Sequence, residues 1–111
     1  MDFKNKVAIV TGAGQGIGFE ICRLLALNGA TVLLNDQDGR LAEEAAAKIN
    51  ADDSKACIPF PGDASEISFI NKMVYAAVDL YGHLDIVIAN AGITLFGDFA
   101  TYSPEAFFKV L

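Results

Sequence analysis

Residues 11–18 read TGAGQGIG, four glycines in eight positions. An apolar run, KVAIV, precedes them, and an apolar-periodic stretch, FEICRLLA, follows. Glycine inside a helix costs about 1 kcal/mol relative to alanine. This much glycine at a strand-to-helix handover therefore asks for a function. Helix N-termini present backbone N–H groups and a positive dipole end, and both favour phosphate. Backbone can approach a pyrophosphate closely only where Cβ is absent. On this reading Gly12 turns the chain out of the first strand, Gly16 lets backbone approach phosphate, and Gly18 lets the helix sit close to the sheet.

The spacing narrows the choice. A P-loop needs lysine followed by Ser or Thr after its last glycine, and no lysine follows here until Lys48. The pattern G-x-G-x-x-G fails from Gly12, because residue 17 is Ile17. T-G-x-x-x-G-x-G fits. The competing reading is a glycine-rich turn that holds nothing.

Outward from the loop, short apolar runs alternate with amphipathic ones. VAIVT (7–11), TVLL (31–34), ACIPF (56–60) and DIVIA (85–89) read as strands. Three helices are expected between them. The first runs from Gly16 to a stop at Asn28-Gly29, with Ile17, Ile21, Leu24 and Leu25 as its stripe. The second is capped by Asp38, with Leu41, Ala45 and Ile49 on one face. The third is capped by Ser65 and closed by Gly82, with Ile67, Ile70, Val74, Ala77, Val78 and Tyr81 as its stripe. Ser103-Pro104-Glu105 opens a further helix. Strands joined by helical crossovers give an α/β, doubly wound parallel sheet, with a right-handed order 3-2-1-4 and a switch point between strands 1 and 4. DIVIA carries no edge protection, so without a fifth strand it would leave an open apolar edge.

Composition excludes several classes. The net charge is −6, where a nucleic-acid partner would need a basic face. No apolar run reaches the roughly 18 residues of a membrane span, and MDFKNK lacks the apolar core of a signal peptide. Cys22, Cys57 and the single His83 are too few for a zinc site, and His83 is given no specific role. The two isolated thiols suit a reducing cytoplasm.

Three further positions bear on a dinucleotide. Asp36 ends the second strand, where an acid can accept from both adenosine ribose hydroxyls and repel a 2′-phosphate. Gln15 and Gln37 are neutral where an arginine would have welcomed that phosphate. Together they favour NAD, with NADP the lesser choice; the alternative for Asp36 is a turn residue or a rival cap to Asp38. Asp63, just past strand 3, could bond the adenine amino group or help cap the next helix. Asn90, with Ala91 and Gly92, ends strand 4, where its amide could brace the loop, touch the cofactor ribose or simply end the strand.

The coincidence of T-G-x-x-x-G-x-G at 11–18, an acid at 36, Asp63 and A-N-A-G at 89–92 resembles the short-chain dehydrogenase/reductase family. The likeness is to its NAD(P)-binding Rossmann-fold members of the 3-oxoacyl-carrier-protein reductase and glucose 1-dehydrogenase types, over their N-terminal part. It implies that Gly12, Gln15, Gly16, Ile17, Gly18, Asp36, Asp63, Ala64, Asn90, Ala91 and Gly92 line the cofactor. It also implies an alcohol or ketone substrate, and a homo-oligomer for the full-length enzyme. The family usually has N-N-A-G; here Ala89 holds the first position, which implies the loss of one polar brace. The family's Tyr-x-x-x-Lys is missing: four residues after Tyr75, Tyr81 and Tyr102 stand Asp79, Asp85 and Ala106. The expectation is a cofactor-binding part spanning 1–111 of a single domain, cut in the helix after strand 4 and inactive alone. A non-catalytic dinucleotide module and a nonfunctional truncated product are the alternatives.

Overall fold

The computed structural model describes residues 2–52 and 56–90. Strands β1 (Val7–Val10), β2 (Thr31–Leu34), β3 (Cys57–Pro59) and β4 (Ile86–Ile88) alternate with helices α1 (Gly16–Leu27), α2 (Gly39–Ile49) and α3 (Ile67–Tyr81). A 3-10 turn, Asn50–Asp52, follows α2. The sheet order is β3-β2-β1-β4 and every pairing is parallel, as expected. Register runs Val7 to Thr31 on one side of β1 and Ala8 to Ile86 on the other.

Parallel strands covered on both faces need apolar side chains at every position. β1 meets this fully, and β2 nearly so. Ala8, Val10, Val32, Leu34 and Cys57 share one cluster with Cys22 and Leu25 of α1 and with Ala42, Ala45 and Ala46 of α2. Val7, Ile9 and Leu33 share the other with Ile70, Met73 and Ala77 of α3. Pro59, which lacks a ladder donor, stands in β3, an outer strand of the described sheet. β4 is the other outer strand, and its Val87 is 43% exposed.

Asp38 caps α2 as expected, accepting from the Arg40 and Leu41 N–H groups, an arrangement worth about 1 kcal/mol. Gly29 and Gly82 follow α1 and α3 with φ of 102° and 83°, the left-handed turn that ends a helix. Two helical faces differ from expectation. In α1 the buried residues are Gly18, Cys22 and Leu25, while Ile17 is 74% exposed and Leu24 47%. Close seating of Gly18 rotates the inward arc by one residue, about 100°. In α3 the buried arc is Ile70, Met73 and Ala77, which leaves Ile67 and Val78 largely outside. Ser65 does not cap α3. Glu66 holds that position without a side-chain bond, and Ser65 belongs to the turn before it, its N–H and hydroxyl donating to Asp63 at 2.9 and 2.6 Å.

Cys22 and Cys57 are both buried. Burial pushes the Cys57 thiol up to about 12, and burial with the nearby Cys57 pushes Cys22 well above its ordinary 9.0. The folded protein keeps both thiols neutral, whereas the unfolded chain ionises them near 9. Stability should therefore fall as pH rises past about 9, by up to about 1.4 kcal/mol per pH unit for each thiol. Urea unfolding midpoints measured between about pH 8 and about pH 10 should drop less steeply in a Cys22→Ala/Cys57→Ala variant than in the parent.

Candidate functional site

The carboxyl ends of β1, β2 and β3 gather the glycine loop, Asp36 and Asp63 at one edge of the sheet. Gly12 and Gly16 adopt φ of 60° and 66°, the left-handed region that a Cβ disfavours. A Cβ on Gly16 would meet nothing within 4 Å. That open side is where a ligand's phosphate could lie against backbone. α1 starts at Gly16 after an extended Gln15, no side chain caps it, and its first turn holds no acid. Gln15 and Ile17 are exposed beside it. Among the described residues no carboxylate caps the positive helix end or stands in its first turn, so these residues fit a pyrophosphate.

Gly18 has the opposite surroundings. A Cβ there would stand 2.5 Å from Asn90 Nδ2, 2.7 Å from the Gly12 carbonyl oxygen and 2.9 Å from Ala13 Cα. The helix is thus seated directly on the glycine loop and the end of β4. Asn90 locks this seat: its N–H donates to Thr11 Oγ1 at 3.0 Å, and its amide donates to the Gly12 carbonyl at 3.3 Å. Of the roles read for Asn90, the brace is the one visible in the fold. Ala89 packs against the apolar cluster under α3 instead of supplying a second polar brace. Ala91 and Gly92 lie outside the described residues, as does the helix expected from Ser103.

Asp36 reaches the loop directly. Its Oδ2 accepts from the Gly14 N–H at 2.9 Å, and its Oδ1 accepts from the Asp38 N–H at 3.0 Å. It does not cap α2; Asp38 does. A carboxylate has about four lone-pair positions, so these two bonds leave acceptor capacity on a partly exposed group. Asp63 is partly exposed too, and the Ser65 hydroxyl and N–H hold its carboxyl below the usual carboxylate range. Of the two roles read for it, the turn before α3 is seen, formed with Ser65 and with the Glu66 N–H bonded to its carbonyl. Ala64 beside it is buried.

Two residues at this edge escape a reading by motif. Gly14 falls on a variable position of T-G-x-x-x-G-x-G. Yet a Cβ there would stand 2.7 Å from Asp36 Oδ2 and 2.8 Å from Leu41 Cβ. Asn35 is 1% exposed, one of two buried polar residues, with Thr11, among the described residues. The available signal was an amide at the end of an otherwise apolar TVLL run. At the far end of the sheet His83 has a structural role after all: its Nε2 lies 2.8 Å from the Asn5 carbonyl and 3.1 Å from Asp85 Oδ2. That same Asp85 oxygen accepts from the Val7 N–H.

Among the described residues no group of three potential ligands could hold a metal ion, and no helix is long and apolar enough to cross a membrane.

Known proteins share this arrangement. Versicolorin reductase of Emericella nidulans is 40% identical over 107 residues, 96% of this chain and 40% of its own. Trihydroxynaphthalene reductase of Colletotrichum orbiculare is 39% identical over 107 residues, 96% of this chain and 38% of its own. The apo-form crystal structure of glucose dehydrogenase from Caenorhabditis elegans superposes with a TM-score of 0.76 at 28% identity, over 81% of this chain and 39% of that one. The chain spans about two fifths of the length of these relatives. The family model for short chain dehydrogenases matches residues 6–111. Nearly the whole sequence falls within that match, and the chain belongs to the short-chain dehydrogenase family.

Proposed function

We propose that this chain binds a nicotinamide dinucleotide, NAD in preference to NADP, as the cofactor-binding part of a single-domain oxidoreductase. The observation that carries the reading is Asp36, a partly exposed carboxylate anchored to the glycine loop by the Gly14 N–H. There it offers acceptors to a ribose diol and repels a 2′-phosphate. The glycine loop and α1 would hold the pyrophosphate, while Asp63 and Ala64 would border the adenine. Ala91 and Gly92 would continue the lining beyond Asn90. When bound, the cofactor supplies hydride exchange with an alcohol or ketone. These residues bind and orient it; the family's Ser, Tyr and Lys are not matched among them, so residues 1–111 alone should not turn over. The same reading puts the protein in the cytoplasm, and in a homo-oligomer at the length of its relatives.

Titration of the protein with NADH and NADPH, followed by nicotinamide fluorescence, tests this. Saturable binding with at least about a tenfold preference for NADH, or 1.4 kcal/mol, is expected. No saturation with either at millimolar concentration would sink the dinucleotide reading, and a preference for NADPH would sink the assignment of Asp36.

A further inference from the structure

Asn35 links three segments of the site, two through its backbone and the third through its side chain. Its N–H donates to the Val10 carbonyl at 2.9 Å, and its carbonyl accepts from the Ala13 N–H at 2.7 Å. The first ties the end of β2 to the end of β1, and the second ties it to the glycine loop. Its side-chain amide donates to the Phe60 carbonyl at 2.9 Å and to the Gly62 carbonyl at 3.1 Å. These fasten the segment after β3. That segment is also closed from its other side: Gly62 has φ of 155°, and a Cβ there would overlap the ring of Phe69. The next two residues are Asp63 and Ala64.

The chemistry asks for asparagine. Two carbonyls face one side chain, so it must offer two donors from one nitrogen within a buried volume. Aspartate offers none at neutral pH, leucine none, and serine one. The β2–β3 ladder has its last registered pair at Leu34 and Pro59, with the Phe60 N–H donating to the Leu34 carbonyl. Beyond it, Asn35 and the bond from the Gly62 N–H to the Asp36 carbonyl at 3.0 Å hold the segment to β2.

We propose that Asn35 is a positioning residue for the adenosine half of the site: by tying the Phe60–Gly62 backbone to the glycine loop, it sets the distance between Asp36 and the Asp63–Ala64 wall without touching the ligand. This rests on the dinucleotide reading above. Loss of the amide frees the wall to move from the loop, and adenosine affinity falls more than stability alone would explain.

The test uses ADP-ribose, which carries the adenosine and pyrophosphate but no nicotinamide. Calorimetric affinities are compared for the parent, Asn35→Ala and Leu25→Ala. Leu25 packs at the far end of α1 and serves as a control for general destabilisation. Asn35→Ala should bind ADP-ribose at least about tenfold more weakly, while Leu25→Ala stays within about twofold of the parent. Asn35→Ser, which keeps one donor, should fall between parent and alanine; if Asn35→Ala does not fold, the serine variant carries the comparison. Equal weakening by the position 35 and Leu25 variants would reduce Asn35 to a core residue and overturn the proposal. So would an unchanged affinity at position 35. A parent that binds no ADP-ribose would instead sink the dinucleotide reading itself, and the proposal with it.

Discussion

Gly18→Val should unfold the protein or strip it of dinucleotide affinity, with a loss of at least about 3 kcal/mol in urea unfolding. Alanine at this position gains about 1 kcal/mol of helix propensity. That gain loses to sterics, because two of the three atoms a Cβ would strike belong to backbone, the Gly12 carbonyl and Ala13 Cα. Neither can move without moving the loop. The third, Asn90 Nδ2, can retreat only by giving up its bond to Gly12. Gly18→Ala should therefore still be destabilising, by about 1–3 kcal/mol. Gly16→Ala provides the contrast. Its Cβ meets open space, so its stability cost is the left-handed φ alone, about 1–2 kcal/mol. A ligand phosphate would meet that Cβ, and affinity should fall more than stability. An unfolding midpoint for Gly18→Val within error of the parent would show that α1 is not seated as described.

Asp36→Ala should move the NADPH-to-NADH affinity ratio toward NADPH by ten- to a hundredfold, or about 1.4–2.8 kcal/mol. Two unit charges about 5 Å apart at an effective dielectric near 20 repel by about 3 kcal/mol. Partial exposure of Asp36 trims this, while the loss of ribose hydrogen bonds weakens NADH at the same time. Adding Gln37→Arg should extend the shift by supplying a cation for the 2′-phosphate. The Gly14 and Asp38 N–H groups lose their acceptor, which should cost about 1 kcal/mol of stability. Paired fluorescence titrations read the ratio, and a ratio unmoved by Asp36→Ala would mean that the carboxylate does not face the ribose.

Strand identity, order and helix ends were legible because they rest on local signals: β-branched runs, Asn28-Gly29, Asp38 and Gly82. The faces of α1 and α3 were not. Periodicity reports which residues are apolar, but not how a helix is rolled onto its sheet, and Gly18 decides that roll in α1 by lacking a side chain. In α3 the unbranched Met73 takes a core position that Ile67 and Val78 leave. Capping by Ser65 failed because α3 begins one residue later than its signal implied, after Glu66, with Ser65 in the turn built on Asp63. At the site, Gly12, Gly16, Gly18 and Asp36 carry recognisable spacing. Gly14 and Asn35 matter through contacts with residues about 20 or more positions away, 22 from Gly14 to Asp36 and 25 from Asn35 to Phe60. No local pattern encodes those.

The central place of β1 has a consequence for how the molecule is made. Of the four strands β1 leaves the ribosome earliest, yet it needs neighbours on both sides, and one is distant: the Val7 N–H waits for an Asp85 carboxylate 78 residues later. β2 can dock after some thirty residues, so half of the sheet can assemble early. The other margin of the most buried strand stays bare until β4 emerges, several seconds later at a synthesis rate of roughly 5–20 residues per second. Long-range parallel pairing is slow to close. During that interval nascent β1 would be the segment most exposed to chaperone capture or mispairing.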